Sequence, residues 1–197
     1  MDSVIRALEN RKNFDVVYLY FAKAFDKVDH SILMKKVYQF GIRGKIHSWI
    51  ECFLQNRYQQ VLVDGSLSRK EIVISGVPQG TVMGPLLFLL YIDDLEQSLQ
   101  HSILRIFADD SKVTKEIETQ EDHDGLQEDV NTAILWSTDN NMELNHKKFQ
   151  LMQYGKSEDL KQPYEIANEE RLYKETDVKD LASWGYMFQK IWRGRHK

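Results

Sequence analysis

The most informative stretch of the sequence is Gly76-Val77-Pro78-Gln79-Gly80-Thr81-Val82-Met83-Gly84-Pro85, because it joins a glycine-rich loop to a strongly apolar helix. Proline is tolerated in the first turn of a helix, and residues 86–92 are the most apolar run of the chain. Farther along, Phe107-Ala108-Asp109-Asp110 lies between segments 102–108 and 111–114, which predict a β-hairpin. We therefore expect a fold in which a loop and two adjacent carboxylates form one site.

The flanking sequence predicts the other elements of an α+β domain. Residues 15–21 predict a buried strand, and residues 58–63 and 70–74 predict a hairpin around Asp64-Gly65-Ser66. Asp29 or Ser31 can cap a helix that runs to Phe40. Two further helices carry apolar side chains at helical spacing, which we assign to the core: Ile46, Trp49, Ile50, Phe53 and Leu54 in the first, and Leu126, Val130, Ala133 and Ile134 in the second.

The end of the chain differs from the rest. Residues 152–154 predict a last strand, and the periodicity fades after Gly155. We therefore expect one domain over residues 1–155, followed by a poorly assigned segment, 156–197.

Composition excludes several classes of protein. With 197 residues, 42% of them hydrophobic, the chain can bury a globular core, and a lone cysteine, Cys52, excludes a disulfide framework. No signal or membrane-spanning segment is evident, so we expect a soluble, intracellular protein without membrane contact; nucleus or cytoplasm and the oligomeric state stay open. The net charge is −4, yet residues 1–60 hold ten Lys and Arg against six Asp and Glu, a local excess that would attract phosphates.

Two adjacent carboxylates at a hairpin tip indicate a metal site. Like charges this close repel, so one would take up a proton unless a cation lies between them. Oxygen ligands on an exposed rim suit Mg²⁺, which keeps several waters and recruits substrate phosphates. Asp109 and Asp110 are therefore candidate metal ligands, although aspartate is also a common turn residue and the pair can be purely structural.

Three motifs in this order resemble the reverse transcriptase of animal non-LTR retrotransposons of the jockey and CR1 type. They are YLYFAKAFDKVDH at 18–30, GVPQGTVMGPLLF at 76–88 and FADDSK at 107–112, and the resemblance extends over about 3–155. It implies the palm of an RNA-directed DNA polymerase, an antiparallel sheet backed by helices, here with incomplete fingers and thumb. In that family two Mg²⁺ or Mn²⁺ ions align a primer 3′-hydroxyl with a deoxynucleotide triphosphate on an RNA template.

The resemblance also implies roles for single residues. Asp109 and Asp110 would bind metal together with the backbone carbonyl of Phe21, and Lys148 would protonate the leaving pyrophosphate. From the residue type alone, Lys148 fits an exposed lysine equally well.

The nucleotide itself would lie against two further parts of the chain. Phe25 would lie under the sugar and exclude a 2′-hydroxyl, and Gln79 and Gly80 would approach the nucleotide and the template base. Phe25 also fits a core aromatic residue, and Gly80 also fits a helix-preceding loop. Lys23 and Lys27 can contact phosphates or be solvated.

Tyr20 occupies the position where the family pattern has its third catalytic aspartate. A phenol, whose ordinary pKa is about 10, cannot replace a bridging carboxylate at neutral pH. Asp15 lies on the opposite strand face and Asp26 beyond the strand, so neither substitutes for it. We predict weak Mg²⁺ binding and a truncated, catalytically impaired copy. The alternatives are a non-catalytic nucleic-acid- or protein-binding module, and a decayed product that does not fold alone.

A second pair of carboxylates, in Tyr91-Ile92-Asp93-Asp94, resembles the Tyr-x-Asp-Asp box of retroviral polymerases more closely than residues 107–110 do. This pair follows a continuous apolar helix and is expected at its end. A hairpin tip directs carboxylates over a sheet, so we place the site at Asp109 and Asp110.

Overall fold

A computed structural model describes residues 2–107, 110–166 and 170–172. Its centre is a four-stranded antiparallel sheet whose strands lie in the order β6 (Ile103–Phe107), β7 (Asp110–Ile117), β1 (Asn13–Tyr20) and β8 (Gln150–Tyr154). The predicted strand at residues 15–21 is therefore an inner strand, and the predicted α+β class is confirmed.

Six helices accompany this sheet in the described part of the chain. They are α1 (Asp2–Glu9), α2 (Ala24–Lys27), α3 (His30–Gln39), α4 (Gly44–Leu54), α5 (Met83–Ser98) and α6 (Gln120–Asp139). Helices α5 and α6 pack on one sheet face, where their apolar side chains join Val17 and Leu19 of β1 in the main core. Helix α1 packs on the other face, where Ala7 meets Phe14 and Val16.

The alternation along β1 leaves part of the second face open. Odd-numbered side chains such as Val17 and Leu19 point into the helix-backed core, whereas Tyr18 and Tyr20 point to the opposite face and are half-buried. The open end of this face is where residues 20 and 110 meet.

Of two predictions about helix ends, the structure agrees with one and contradicts the other. Asp29 caps α3, because its Oδ1 accepts hydrogen bonds from the amides of Ser31 (2.8 Å) and Ile32 (3.0 Å). The expectation that Asp93 and Asp94 end their helix is wrong, since α5 continues to Ser98. Asp94 is held by a structural contact: its Oδ1 accepts from Lys36 Nζ at 2.7 Å and from Trp136 Nε1 at 3.0 Å.

The predicted core face of α4 is only partly correct. Ile50 and Leu54 are buried, but Ile46 and Trp49 are 64% and 53% exposed. Trp49 instead stacks on Phe53, with ring centroids 5.6 Å apart. Helical spacing correctly identified the apolar stripe, but only the part of the stripe that holds Ile50 and Leu54 is buried.

The predicted hairpin after α4 is formed by four two-residue strands. They are β2 (Tyr58–Gln59), β3 (Leu62–Val63), β4 (Ser66–Leu67) and β5 (Glu71–Ile72), with β3 paired to β4 and β2 to β5. Asp64 and Gly65 turn the chain with φ of 48° and 80°, the conformation of a tight hairpin turn. All eight strand residues are exposed.

The chain beyond β8 continues onto the same core, so residues 152–154 are not the last strand. Strands β9 (Tyr164–Ile166) and β10 (Glu170–Leu172) form a separate pair. Tyr164 is fully buried, and Ile166 is 8% exposed in the main core. A domain boundary at residue 155 stays a prediction, and residues 173–197 lie outside the described residues.

Candidate functional site

The backbone brings the first and third motifs together. Phe107 pairs with Asp110 across the β6–β7 hairpin, so Ala108 and Asp109 connect the two strands and lie outside the described residues. On the other side of β7, Asp110 pairs with Tyr20 of β1. Directly opposed residues of antiparallel strands have Cα atoms about 4.5 to 5.5 Å apart. Tyr20 is thus the immediate neighbour of Asp110.

The carbonyl of Phe21 is oriented toward the same hairpin. Phe21 forms an isolated bridge with Leu144, in which the hydrogen bonds run from Asn145 N to Tyr20 O (2.8 Å) and from Ala22 N to Glu143 O (2.7 Å). Because successive carbonyls of a strand point to opposite sides, the Phe21 carbonyl points to the β7 side. Its side chain is buried and meets Trp136 edge-on at 6.2 Å.

A pocket of about 320 Å³ opens next to Tyr20. It is lined by Tyr20, Lys147, Lys148, Phe149 and Gln150, and the two lysines belong to a short 3₁₀ helix, His146–Lys148. The Tyr20 hydroxyl donates a long hydrogen bond of 3.4 Å to Gln150 Oε1. The pocket therefore places Lys148 near Tyr20, together with Lys147 and Gln150, which the sequence did not single out.

The loop of the second motif folds against α2 and the turn that follows it. Gly76 N donates to Val28 O and Val77 N to Phe25 O, both at 2.8 Å. Gln79 Nε2 donates to Asp26 Oδ1 at 2.9 Å, so the side chain of Gln79 is held by a residue of the first motif.

Two glycines allow this loop conformation for different reasons. Gly76 has φ of 84°, and a Cβ there would lie 2.8 Å from the Cα of Asp26. Gly80 has φ of 77°, but a Cβ there would meet nothing within 4 Å. Gly80 is therefore required by its left-handed backbone, whereas Gly76 also needs the close approach.

Phe25 lies between the loop and the core. It is half-buried in α2 and stacks on Phe88 of α5, with ring centroids 4.7 Å apart and an interplanar angle of 20°. This position supports its packing role; a contact with a sugar stays a prediction.

A row of polar side chains crosses the open face next to the site. Arg105 pairs with Lys112, Lys112 with Tyr18, and Tyr18 with Gln150, so all four point to one face. Burial, and then the neighbouring Arg105 charge, lower the pKa of Lys112. The open face therefore carries adjacent positive charges, from Lys112 of the third motif and from Arg105, which the sequence did not single out.

The described residues do not complete a two-metal site. Tyr20 contributes a phenol where a bridging carboxylate is needed, and Asp26 is bonded to Gln79. Asp15 is buried on the opposite face, where its Oδ2 accepts from Gln153 and from the Tyr164 hydroxyl, both at 2.8 Å. Within the described ranges no three His, Cys, Asp or Glu side chains cluster around a possible metal position.

No helix of the described residues is long and apolar enough to cross a membrane.

Comparison with known proteins agrees with the motifs. The family profile described as reverse transcriptase (RNA-dependent DNA polymerase) matches residues 5–179. The probable RNA-directed DNA polymerase from transposon X-element of Drosophila melanogaster is 31% identical over 153 residues, which are 75% of this chain and 17% of that protein. The polymerase from mobile element jockey of the same species is 29% identical over 152 residues, 73% of this chain and 16% of that protein. The chain thus spans about a sixth of these relatives.

Solved structures share the fold at low sequence identity. Telomerase from Candida albicans, in complex with a fragment of telomeric RNA, superposes with a TM-score of 0.57 at 13% identity, covering 96% of this chain and 37% of that one. Telomerase from Candida tropicalis gives 0.56 at 10% identity, covering 77% and 29%. The sheet and its helices are therefore a polymerase palm.

Proposed function

The chain belongs to the reverse transcriptase family, and its relatives include polymerases of non-LTR retrotransposons. We propose that it is an RNA-directed DNA polymerase palm impaired in nucleotidyl transfer. The palm would still contact a primer, an RNA template and a deoxynucleotide. The impairment lies in metal binding where residue 20 pairs with residue 110.

The pairing of Tyr20 with Asp110 is the observation that carries this proposal. A carboxylate at position 20 would lie beside Asp110 and complete an oxygen cage for Mg²⁺ or Mn²⁺. A protonated phenol supplies no negative charge, and Asp15 and Asp26 are engaged elsewhere. Losing such an electrostatic contribution costs about 10³-fold in rate.

The remaining motif residues keep defined roles in the proposed site. Gln79 and Gly80 present the loop to the nucleotide, and Phe25, fixed on Phe88, forms the floor beneath its sugar. Lys148 faces the pocket beside Tyr20, where its ammonium group can meet a phosphate. Asp109, Asp110 and the Phe21 carbonyl are the groups to which weakly held Mg²⁺ would bind.

A second candidate is a nucleic-acid-binding module without catalysis. The row of Arg105, Lys112 and Tyr18 favours it, because cationic and aromatic side chains on one face suit a phosphate backbone and stacked bases. This role needs no metal pair.

Primer extension on an RNA template tests the proposal. Wild-type chain, Tyr20→Asp and Tyr20→Phe are compared with Mg²⁺ and with Mn²⁺, and calorimetry measures Mn²⁺ binding by the same proteins. We expect no measurable extension by the wild type or by Tyr20→Phe. We expect at least tenfold tighter Mn²⁺ binding by Tyr20→Asp, since the added charge attracts a divalent ion by about 2 kcal/mol or more. Robust extension by the wild type, or unchanged Mn²⁺ affinity in Tyr20→Asp, would contradict it.

A further inference from the structure

We propose that Arg57 and His30 are positioning residues that set how strictly the site selects a deoxynucleotide. Both side chains donate hydrogen bonds to the carbonyl oxygen of Gly76, where the loop of the second motif begins. The inference rests on the proposed function, because it concerns the loop and the Phe25 ring between which the sugar would lie. It adds two residues that fix the distance between the loop and Phe25.

The carbonyl of Gly76 receives both of the hydrogen bonds that its oxygen can readily accept. Arg57 Nη2 donates to it at 2.7 Å, and His30 Nε2 donates at 2.8 Å. A carbonyl oxygen has two lone pairs and cannot donate, so the Nε2 atom of His30 carries the proton. The start of the loop is thereby tied to α3, which begins at His30, and to the chain that follows α4.

Arg57 reaches the loop from the end of α4. Asn56, with φ of 56°, turns the chain after the helix, and Arg57 Nε donates to the carbonyl of Leu54 at 2.9 Å. A cation is favourable there, because the last carbonyls of a helix lack intrahelical donors. In the described part of the chain Arg57 forms no ion pair, and burial lowers the pKa of its guanidinium. One planar guanidinium therefore joins two backbone carbonyls, a geometry that the ammonium of lysine does not reproduce.

Gly76 lies directly against the backbone of Phe25. Val77 N donates to the Phe25 carbonyl at 2.8 Å, and a Cβ on Gly76 would lie 2.9 Å from the same oxygen. The ring of Phe25 is in turn held by its stacking on Phe88. The two donors therefore keep the loop at one distance from the ring that is proposed to exclude a 2′-hydroxyl. Without them the loop can move away from Phe25 and leave room for that hydroxyl.

The test compares the affinities of the full chain for dATP and for ATP. Titration in Mg²⁺, followed by NMR of the backbone amides of residues 79–83, measures both affinities even where binding is weak. We expect the wild type to prefer dATP. Arg57→Ala and Arg57→Lys should each reduce this preference about fivefold, the equivalent of one lost hydrogen bond. His30→Gln keeps a donor at the position of Nε2 and should preserve the preference, whereas His30→Phe should reduce it.

Hydrogen exchange without any nucleotide reports on the loop itself. The amides of Gly76 and Val77 should exchange about fivefold faster in Arg57→Ala, because the carbonyl of Gly76 has lost a donor. Arg69→Ala is the matched control, since it removes an exposed arginine that pairs with Glu71 in the hairpin after α4. It should change neither the exchange rates nor the preference for dATP. Circular dichroism confirms that each variant is folded.

The ratio of the two affinities separates positioning from simple support of the fold. If Arg57→Ala weakens dATP and ATP equally, or leaves the exchange of amides 76–77 unchanged, Arg57 does not set the selection and the inference is wrong. A wild type that binds neither nucleotide, or binds both equally, would instead contradict the proposed role of the loop and of Phe25, and the inference would fall with it. The wild-type titration therefore tests the proposed function, and the variants test the inference.

Discussion

Asp26 holds Gln79 in place although 53 residues separate the two in the chain. Its side chain accepts from Gln79, and its backbone carbonyl accepts from the Ser75 hydroxyl at 2.9 Å. Asp26 is therefore a positioning residue for the loop that the second motif defines.

Replacing Asp26 with alanine should loosen the end of this loop while leaving its beginning in place. The bonds of Gly76 and Val77 to backbone carbonyls persist, so the expected loss is one hydrogen bond of about 1 kcal/mol. Hydrogen exchange of amides 79–83 should accelerate about fivefold, with little change at 76–77. Asp93→Ala is the matched control, because it removes an exposed Asp–Gln bond of the same length on α5. If amides 79–83 exchange at similar rates in Asp26→Ala and in Asp93→Ala, Asp26 does not position the loop.

The sequence could identify the motif residues but not all of their partners. Asp109, Asp110, Gln79 and Tyr20 follow from local patterns. The bond from Gln79 to Asp26 and the approach of Lys147 depend on how the loop and the 3₁₀ helix fold back, which no periodicity encodes.

At the scale of elements, α4 shows where helical spacing stops being informative. The apolar stripe is real, but only Ile50 and Leu54 of the stripe are fully buried in the main core. Phe53 is partly buried against that core, and Trp49 stacks on Phe53 at the surface. Spacing specifies which side chains share a face; it does not specify how far that face is covered. In α5 the apolar run likewise does not show where the helix ends. The helix continues through Asp94, because the carboxylate of Asp94 accepts hydrogen bonds from Lys36 and Trp136.

This difference in burial predicts that alanine substitutions along α4 lower the free energy of unfolding by unequal amounts. Leu54→Ala should lower the free energy of unfolding by about 2 to 5 kcal/mol, since Leu54 is fully buried and the cavity cannot collapse completely. Trp49→Ala should cost no more than about 1.5 kcal/mol, the contribution of an aromatic pair. Urea unfolding at a constant m-value distinguishes the two. A larger loss for Trp49→Ala would show that the exposed edge of α4 is covered in solution.

At the scale of the whole molecule, the sheet order β6-β7-β1-β8 joins strands that lie far apart in the chain, at residues 13–20, 103–107, 110–117 and 150–154. The sequence predicted the individual strands and, through its motifs, the palm. It did not predict that residues 158–166 return to the core, because their polar composition conceals the buried Tyr164. The contact that receives Tyr164 is Asp15, a buried carboxylate on the inner strand.

Asp15 should make this whole-molecule contact sensitive to pH. Burial raises the pKa of Asp15, and the hydrogen bonds from Gln153 and Tyr164 and the facing charges of His123 and Lys161 oppose the shift. Because the folded state holds the proton more tightly than the unfolded chain, the stabilisation is complete below the ordinary aspartate pKa of about 4 and is lost as the pH rises through the folded value.

Asp15→Asn removes this titration while keeping an oxygen that can accept from Tyr164. The free energy of unfolding of the variant, relative to the wild type, should therefore rise as the pH increases from about 4, and should level off above the raised folded-state pKa of Asp15, whatever its offset at low pH. Urea unfolding across this range measures the difference, and Asp64→Asn, in the exposed hairpin turn, controls for the loss of one charge. If the free energies of unfolding of the two variants depend on pH in the same way, the pKa of Asp15 is not raised by folding. The hydrogen bonds from Gln153 and Tyr164 would then outweigh the cost of burying its carboxylate.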